Sequence, residues 1–277
     1  MTSLHVHLNG ETIPAAEATI SVSDRALAYG QGVFETIGCY EGRPFAEGAH
    51  YDRLEAGAAA LGIAMPDRGA LARESRDLLK KNGLRNKPQA RIRITLTGGS
   101  PNQSSTVLIE ATEPPDHPPT ARCIRVPFTR NDRGALSGYK TINYGENVIA
   151  HRLALAAKAN EAIFGNTRGF LCEGTWSNIF ILIDDSLVTP PLSSGCLPGI
   201  MRAEVIELSR EIGINTIEED FPLSEIASVD GAFLTSCIRE IQPITHVDDI
   251  EIPESPIVDQ LHGALQERIR QFLRYLG

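Results

Sequence analysis

The stretch EGTWSNIFILIDDSLVTPPLSSGCLPGIMR, residues 173–202, decides how this chain is read. SNIFILI and SLVTPP are apolar and rich in β-branched residues, with Asp184-Asp185 between them as a turn pair, so they read as two strands. LPGIMR then opens a helical run, AEVIELSREIG, with Pro198 near its first turn and Gly213 just beyond its end. A helix start there offers free backbone N–H groups and the positive end of the helix dipole, and both favour a phosphate. Glu173 stands ahead of all this, at the boundary of the strand GFLCEG.

Upstream, GYKTINY sets Lys140 after a glycine and an aromatic and just before Asn143-Tyr144. A lysine among uncharged residues can be held desolvated, which lowers its pKa and makes its amine a nucleophile or Schiff-base former. Alone, a lysine is ordinarily a solvated surface residue. The alanine-rich run 147–164 reads as one helix by composition.

The first part of the chain alternates strand and helix signals. LHVHLNGETI reads as a hairpin about Asn9-Gly10, and VFETIGCY as a strand closed by the turn Glu41-Gly42. HYDRLEAGAAALGI has helical spacing, with Tyr51, Leu54, Ala58 and Leu61 on one face and Arg53 beside them. Residues 68–82 form a second amphipathic helix ended by Gly83, and ARIRITLTGG and STVLIEAT are strands. The proline-dense TEPPDHPPTARC is the linker candidate, near Pro114 to Pro119. After it CIRVPF resumes a strand, VDGAFLTSCIREIQPITHVDDIEI reads as two strands, and a helix over 256–276 closes the chain. The fold class is therefore mixed α/β.

Composition narrows the function. The 277 residues are 42% hydrophobic and 22% charged, ordinary for a globular protein of one large or two modest domains. A formal charge of -9 argues against nucleic acid as a general partner. No apolar run is long enough to span a bilayer, and MTSLHVHLNGETIP lacks a secretion signal. The five cysteines are scattered without a CxxC pair, so no metal site or disulfide framework is indicated, and the reading is a reduced, cytoplasmic compartment.

What carries chemistry is the combination: an amine at Lys140, an acid at Glu173, a helix start at Ile200-Met201, small donors at Thr235-Ser236-Cys237 and a guanidinium at Arg53. An amine nucleophile, an acid and a phosphate cradle describe a site for pyridoxal 5'-phosphate (PLP), which needs a lysine and a charged partner at its pyridine nitrogen.

These residues carry a resemblance. The run from Glu173 resembles the signature of class IV aminotransferases, the fold type IV PLP enzymes. That pattern wants Glu, a small residue two on, Asn then an apolar and an aromatic, a later apolar-x-Thr, and a closing apolar-x-Gly-apolar-x-basic. Here stand Glu173, Thr175, Asn178-Ile179-Phe180, Leu187-Val188-Thr189 and Leu197-Pro198-Gly199-Ile200-Met201-Arg202. YGQGVFETI resembles the family's N-terminal motif, YDRLEAGAAALGI its phosphate-arginine helix, and GYKTINY its lysine segment, so the likeness covers nearly the whole chain.

The resemblance implies a small N-terminal α/β domain over 1–117, a linker and interdomain loop over 118–138, and a large C-terminal PLP-binding domain over 139–277 with a pseudo-barrel of strands and flanking helices. It implies Lys140 as Schiff base and proton shuttle, Glu173 at the pyridine nitrogen and Tyr144 at the ring O3′. It gives the phosphate to Arg53, the N–H groups of Ile200 and Met201, and the Ser236-Cys237 turn. Tyr29 and Phe34 would line the substrate pocket, in a homodimer with residues shared across subunits. Relatives often carry Thr where Met201 and Cys237 stand here, so two side-chain hydroxyls for the phosphate are missing.

Substrate choice stays open. Branched-chain enzymes show Tyr-x-Arg where this chain has Arg91-Ile92-Arg93, and the Arg and His that D-amino-acid enzymes place in the next loop are absent from GGSPNQSS. Arg91 and Arg93 share a strand face with Thr95, and with Arg130, Arg133 and Arg239 they are candidates for a substrate carboxylate. The expectation is a transaminase moving an amino group between an amino acid and a 2-keto acid in a ping-pong PLP/PMP cycle. The alternatives are an aminodeoxychorismate lyase, making p-aminobenzoate and pyruvate with the same Lys140, and a non-catalytic PLP-binding protein.

Overall fold

The computed structural model describes residues 4–102 and 105–275. Their contacts form two compact units: Met1–Pro115 with Tyr139–Asn143 and Ile269–Gly277, and Asp116–Gly138 with Tyr144–Arg268.

In the first unit, β1 (His5–Leu8) and β2 (Glu11–Pro14) form a hairpin. Its turn residues Asn9 and Gly10 have φ of 51° and 95°, the two positive values that a type I′ turn requires. A short helix α1 (Arg25–Tyr29) follows, which periodicity does not reveal. It exists because Asp24 accepts a hydrogen bond from the Ala26 N–H at 2.8 Å, while Gly30 ends it in the left-handed region. Then come β3 (Gly32–Tyr40), β4 (Arg43–Pro44), α2 (Glu47–Ala60), α3 (Arg68–Lys81), β5 (Gln89–Thr97) and β6 (Thr106–Thr112).

The strands order as β2-β1-β6-β5-β3-β4. Alternation sends Val33, Ile37 and Cys39 of β3 and Ile92, Ile94 and Leu96 of β5 to one face. There they meet Leu54 and Ala58 of α2 and Leu71, Leu78 and Leu79 of α3 in one buried core. Each fully buried leucine contributes roughly 1.5–3 kcal/mol. Short β4 leaves much of one β3 edge open, and residues 140–142 cover it. The Phe34 N–H donates to the Lys140 carbonyl at 3.0 Å, the Ile142 N–H donates to the Gly32 carbonyl at 3.0 Å, and Val33 bridges Thr141.

In the second unit, β7 (Ala121–Arg125), α4 (Gly145–Ala156), β8 (Glu161–Gly165), β9 (Leu171–Gly174), β10 (Asn178–Ile183), β11 (Ser186–Thr189), α5 (Ile200–Glu211), β12 (Thr216–Glu218), β13 (Gly231–Ser236), β14 (Glu240–Val247) and β15 (Ile250–Glu251) precede α6 (Pro256–Tyr275). The sheet order is β12-β11-β10-β13-β14-β7-β8-β9, with β15 beside β14. β9 is the end strand, yet only Thr175–Ser177 separate it from β10, although β13, β14, β7 and β8 lie between them in the sheet. The sheet must therefore curl so that its end returns toward β10.

Several expectations change. The helix over 147–164 stops at Ala156, Lys158 turns with φ 58°, and Glu161–Gly165 is strand β8, buried throughout and paired parallel to β7. Composition measures local propensity, and pairing within the sheet overrides it here. Residues 118–138 group with the second unit, where Ala121–Arg125 is a strand of the sheet, while 139–143 group with the first. The final segment read as two strands holds three, with Asp248 at φ 53° turning β14 into β15.

Candidate active site

In the first unit the site residues gather about β3. Phe34 is buried, with the Lys140 Nζ 4.5 Å and the Arg93 guanidinium 3.8 Å from its ring centre. Register explains this: Phe34 pairs with Thr95 and Thr36 with Arg93, so these side chains share one face. Arg93 pairs with Glu110 across the sheet, Nε to carboxylate 3.8 Å. Arg91 lies one pleat further along and donates to the Thr112 hydroxyl at 3.2 Å.

Glu35 leaves the opposite face of β3, and Arg53 is held there. The Arg53 Nε reaches the Glu35 Oε1 at 2.7 Å and its Nη2 the Oε2 at 2.8 Å, while the His50 Nδ1 lies 2.6 Å from Oε2. Burial alone would raise the Glu35 pKa. The charge and hydrogen bonds of Arg53, with those of His50, overcome that and bring it down to about 2. Sequence reading singled out Arg53 and missed Glu35 and His50, because nothing local says which residues of a strand face a helix.

Tyr29 ends α1 and is 79% exposed. Behind it, Gly30 has φ 66°, and a Cβ there would fall 2.1 Å from the Asn143 Oδ1. The Asn143 side-chain amide donates to the Gly30 carbonyl at 3.0 Å. Only glycine allows this approach, which ties the loop after Tyr29 to the segment carrying Lys140.

In the second unit, Glu173 lies at the end of β9 and accepts the Leu197 N–H at 2.9 Å. Its Oε1 is 3.1 Å from the Arg130 Nε. Arg130, a candidate for the substrate carboxylate, is instead packed over Phe164, 4.1 Å to the ring centre, and reaches Asn147. Arg239, another such candidate, is paired with buried Glu161 at 2.7 Å. Arg133 is exposed. Tyr144 precedes α4, and its ring stacks on Trp176, centroids 5.5 Å apart and planes 19° apart, with His151 edge-on to the tryptophan.

The helix start is built by Asn178. Its amide donates to the Leu197 carbonyl at 2.8 Å, and its Oδ1 lies 1.9 Å from where a Cβ on Gly199 would be. Gly199 precedes α5 with no side-chain cap, so the N–H groups of Ile200 and Met201 open the helix. Asn178 pairs with Thr235 across β10 and β13, which sets the Ser236-Cys237 turn in the register next to this helix start. The turn is braced locally: the Thr235 hydroxyl donates to the Glu240 carbonyl at 2.6 Å, and the Arg239 N–H donates to the Ser236 hydroxyl at 3.2 Å. Arg202, the closing basic residue of the motif, is an anchor, donating to the Pro190 carbonyl and pairing with Glu218.

These residues fit PLP. An uncapped helix start cleared of side chain at Gly199 suits a phosphate, and a carboxylate held by Arg130 and a backbone N–H suits a protonated ring nitrogen. Among the described residues no group of His, Cys, Asp or Glu could hold a metal ion. No described helix is long and apolar enough to cross a membrane.

The model of the family described as amino-transferase class IV matches residues 32–247. The chain belongs to the class IV aminotransferases. Members of this family are PLP-dependent enzymes. This class IV chain is 34% identical to a putative branched-chain-amino-acid aminotransferase of Methanocaldococcus jannaschii, covering 96% of each. It is 30% identical to a D-alanine aminotransferase of Listeria monocytogenes, again over 96% of each. With an aminodeoxychorismate lyase of Bacillus subtilis it shares 28% identity over 88% of this chain and 87% of the other. Among solved structures, the Escherichia coli branched-chain amino acid aminotransferase superposes with a TM-score of 0.89 at 26% identity, covering 96% of this chain and 94% of that one. The branched-chain aminotransferase of Thermoproteus uzoniensis, solved with norvaline, gives 0.87 at 28% identity over 95% and 94%. The fold is therefore that of the fold type IV transaminases.

Proposed function

We propose that this class IV enzyme is an amino-acid transaminase, moving an amino group from an amino acid to a different 2-keto acid in two half-reactions. The observation that carries the reading is the group about Phe34: an amine, Lys140, and a guanidinium, Arg93, both against one buried ring. The first is suited to covalent work and proton transfer, the second to a substrate carboxylate. PLP, when bound, supplies an electron sink for the substrate's α-carbon.

The chain's residues then divide the work. Lys140 Nζ would hold the cofactor covalently by its aldehyde carbon, with water leaving, and once displaced by the substrate's amine would be free to carry the proton taken from the substrate α-carbon. Glu173, 3.1 Å from the Arg130 Nε, would pair with the pyridine nitrogen. Tyr144 donates to the ring oxygen. Arg53, the N–H groups of Ile200 and Met201, and the Ser236-Cys237 turn hold the phosphate. Phe34 and Tyr29 line the substrate side, and Arg93, nearer to Lys140 than Arg91 in the register, takes the carboxylate. The working form is a homodimer, supported by the exposed apolar run Ile20, Val22, Leu27 and Tyr29. Five free cysteines suit a reducing cytoplasm.

Aminodeoxychorismate lyase is the second reading. It is supported by the 28% identity to the aminodeoxychorismate lyase of Bacillus subtilis. One experiment separates the two. The purified chain loaded with PLP and reduced with borohydride should carry the cofactor on Lys140 by peptide mass, and Lys140→Ala should carry none. Single L- and D-amino acids should then convert bound PLP to its aminated form. Release of p-aminobenzoate with no such conversion would replace the transaminase by the lyase, and failure to take up PLP at all would sink both.

A further inference from the structure

The second unit contains a buried ion pair with no part in the chemistry above. Glu161 on β8 is fully buried, and its Oε2 lies 2.7 Å from the Nη1 of Arg239, whose side chain is 5% exposed. The Glu161 Oε1 accepts the N–H groups of Ala162 and Thr175, each at 3.0 Å, and Oε2 accepts the Ser177 hydroxyl at 3.4 Å. The Arg239 Nη1 also donates to the Gln242 side-chain oxygen at 3.2 Å.

Burying a carboxylate and a guanidinium is costly, and a hydrophobic pair of similar volume is often as stable or more so. Stability alone is therefore a weak account of the pair. Its connections suggest another. Arg239 closes the turn between β13 and β14, and its own N–H holds the Ser236 hydroxyl at 3.2 Å. Glu161 grips the loop between Glu173 and Asn178 through Thr175 and Ser177. One carboxylate thus links the loop that follows the candidate pyridine partner to the turn that the phosphate would meet.

We infer that Glu161 and Arg239 are a positioning pair for the PLP phosphate, setting the Ser236-Cys237 turn against the start of α5. The inference rests on the PLP reading above. Arg239 is neutralised by Glu161, so its contribution is placement of the turn, not added positive charge. Cys237 offers no hydroxyl, so the turn depends on where its backbone donors stand. The 174–177 loop has independent support: the Gly174 N–H donates to the Ser177 carbonyl at 2.8 Å and the Thr175 N–H to the Ala162 carbonyl at 3.1 Å. Loss of the ion pair should therefore free the phosphate turn and spare the ring end.

The test compares PLP with pyridoxal, which lacks the phosphate, on the full-length chain. Binding is read from the fluorescence of Trp176, the chain's single tryptophan, stacked on Tyr144. Arg239→Ala breaks the pair but leaves a buried carboxylate that can unfold the protein. The double variant E161Q/R239M keeps an acceptor for the Thr175 N–H and buries no charge. In it the PLP Kd should rise about tenfold or more, about 1.4 kcal/mol, while the pyridoxal Kd stays within about twofold. Equal weakening of both ligands would make the pair a fold-supporting element and overturn the inference, as would an unchanged PLP Kd. Wild-type protein that binds no PLP would instead overturn the functional reading itself.

Discussion

Glu35 holds the Arg53 guanidinium by two nitrogens, Nε at 2.7 Å and Nη2 at 2.8 Å, with His50 on the same carboxylate. The arginine proposed to meet the cofactor phosphate is therefore oriented before any ligand arrives, and little side-chain entropy remains to be lost on binding.

The pair gives a pH signature. The Glu35 carboxyl titrates at about 2 in the fold against 4.5 ordinarily. A depressed acid stabilises the fold above its unfolded pKa, and that contribution is lost as pH falls through the folded pKa. Glu35→Gln should cost roughly 3 kcal/mol at neutral pH. The gap to wild type in urea unfolding should close stepwise between pH 4.5 and 2. A gap independent of pH across that window would show that the carboxylate charge is not what holds Arg53.

Arg93 and Arg91 share a strand face, but only Arg93 stands with Lys140 on the Phe34 ring. Arg93→Met should raise KM for the amino acid about 10- to 100-fold, the worth of a charged hydrogen bond. PLP should remain covalently held in that variant. Arg91→Met should change KM by less than about threefold, since Arg91 is engaged by Thr112. Steady-state kinetics on both variants would reverse the assignment if Arg91 proved the more sensitive.

Of the five free cysteines, Cys39, Cys123, Cys172 and Cys196 are buried, and Cys237 is half-buried in the turn after β13. Burial pushes the Cys39 thiol up to about 12 and that of Cys196 to about 11, with Cys123 and Cys172 also raised. Native protein treated with a thiol reagent should label Cys237 alone. PLP at about ten times its Kd should slow that labelling about tenfold. Several thiols reacting together, or no protection by PLP, would remove the turn from the phosphate site.

How much of this was legible in the sequence depends on how far apart the partners lie in the chain. The strand pair about Asp184-Asp185, the glycine-led start of α5 and the hairpin at Asn9-Gly10 follow from turn chemistry and capping, which act over a few residues. The order of Glu173, Asn178 and Gly199 is equally local, and the resemblance it carries implies the family and the cofactor. The pairings Glu35–Arg53, Glu173–Arg130 and Glu161–Arg239 join residues from different elements, and only strand register and helix packing decide which side chains meet. The same cause moved Glu161–Gly165 from the expected helix into a strand, because its parallel partner β7 lies far upstream. Local chemistry named the candidate reacting groups of this enzyme, and the tertiary structure decided what each arginine meets, Glu35 for Arg53 and the Phe34 ring beside Lys140 for Arg93, since strand register and helix packing bring together residues that lie far apart in the chain.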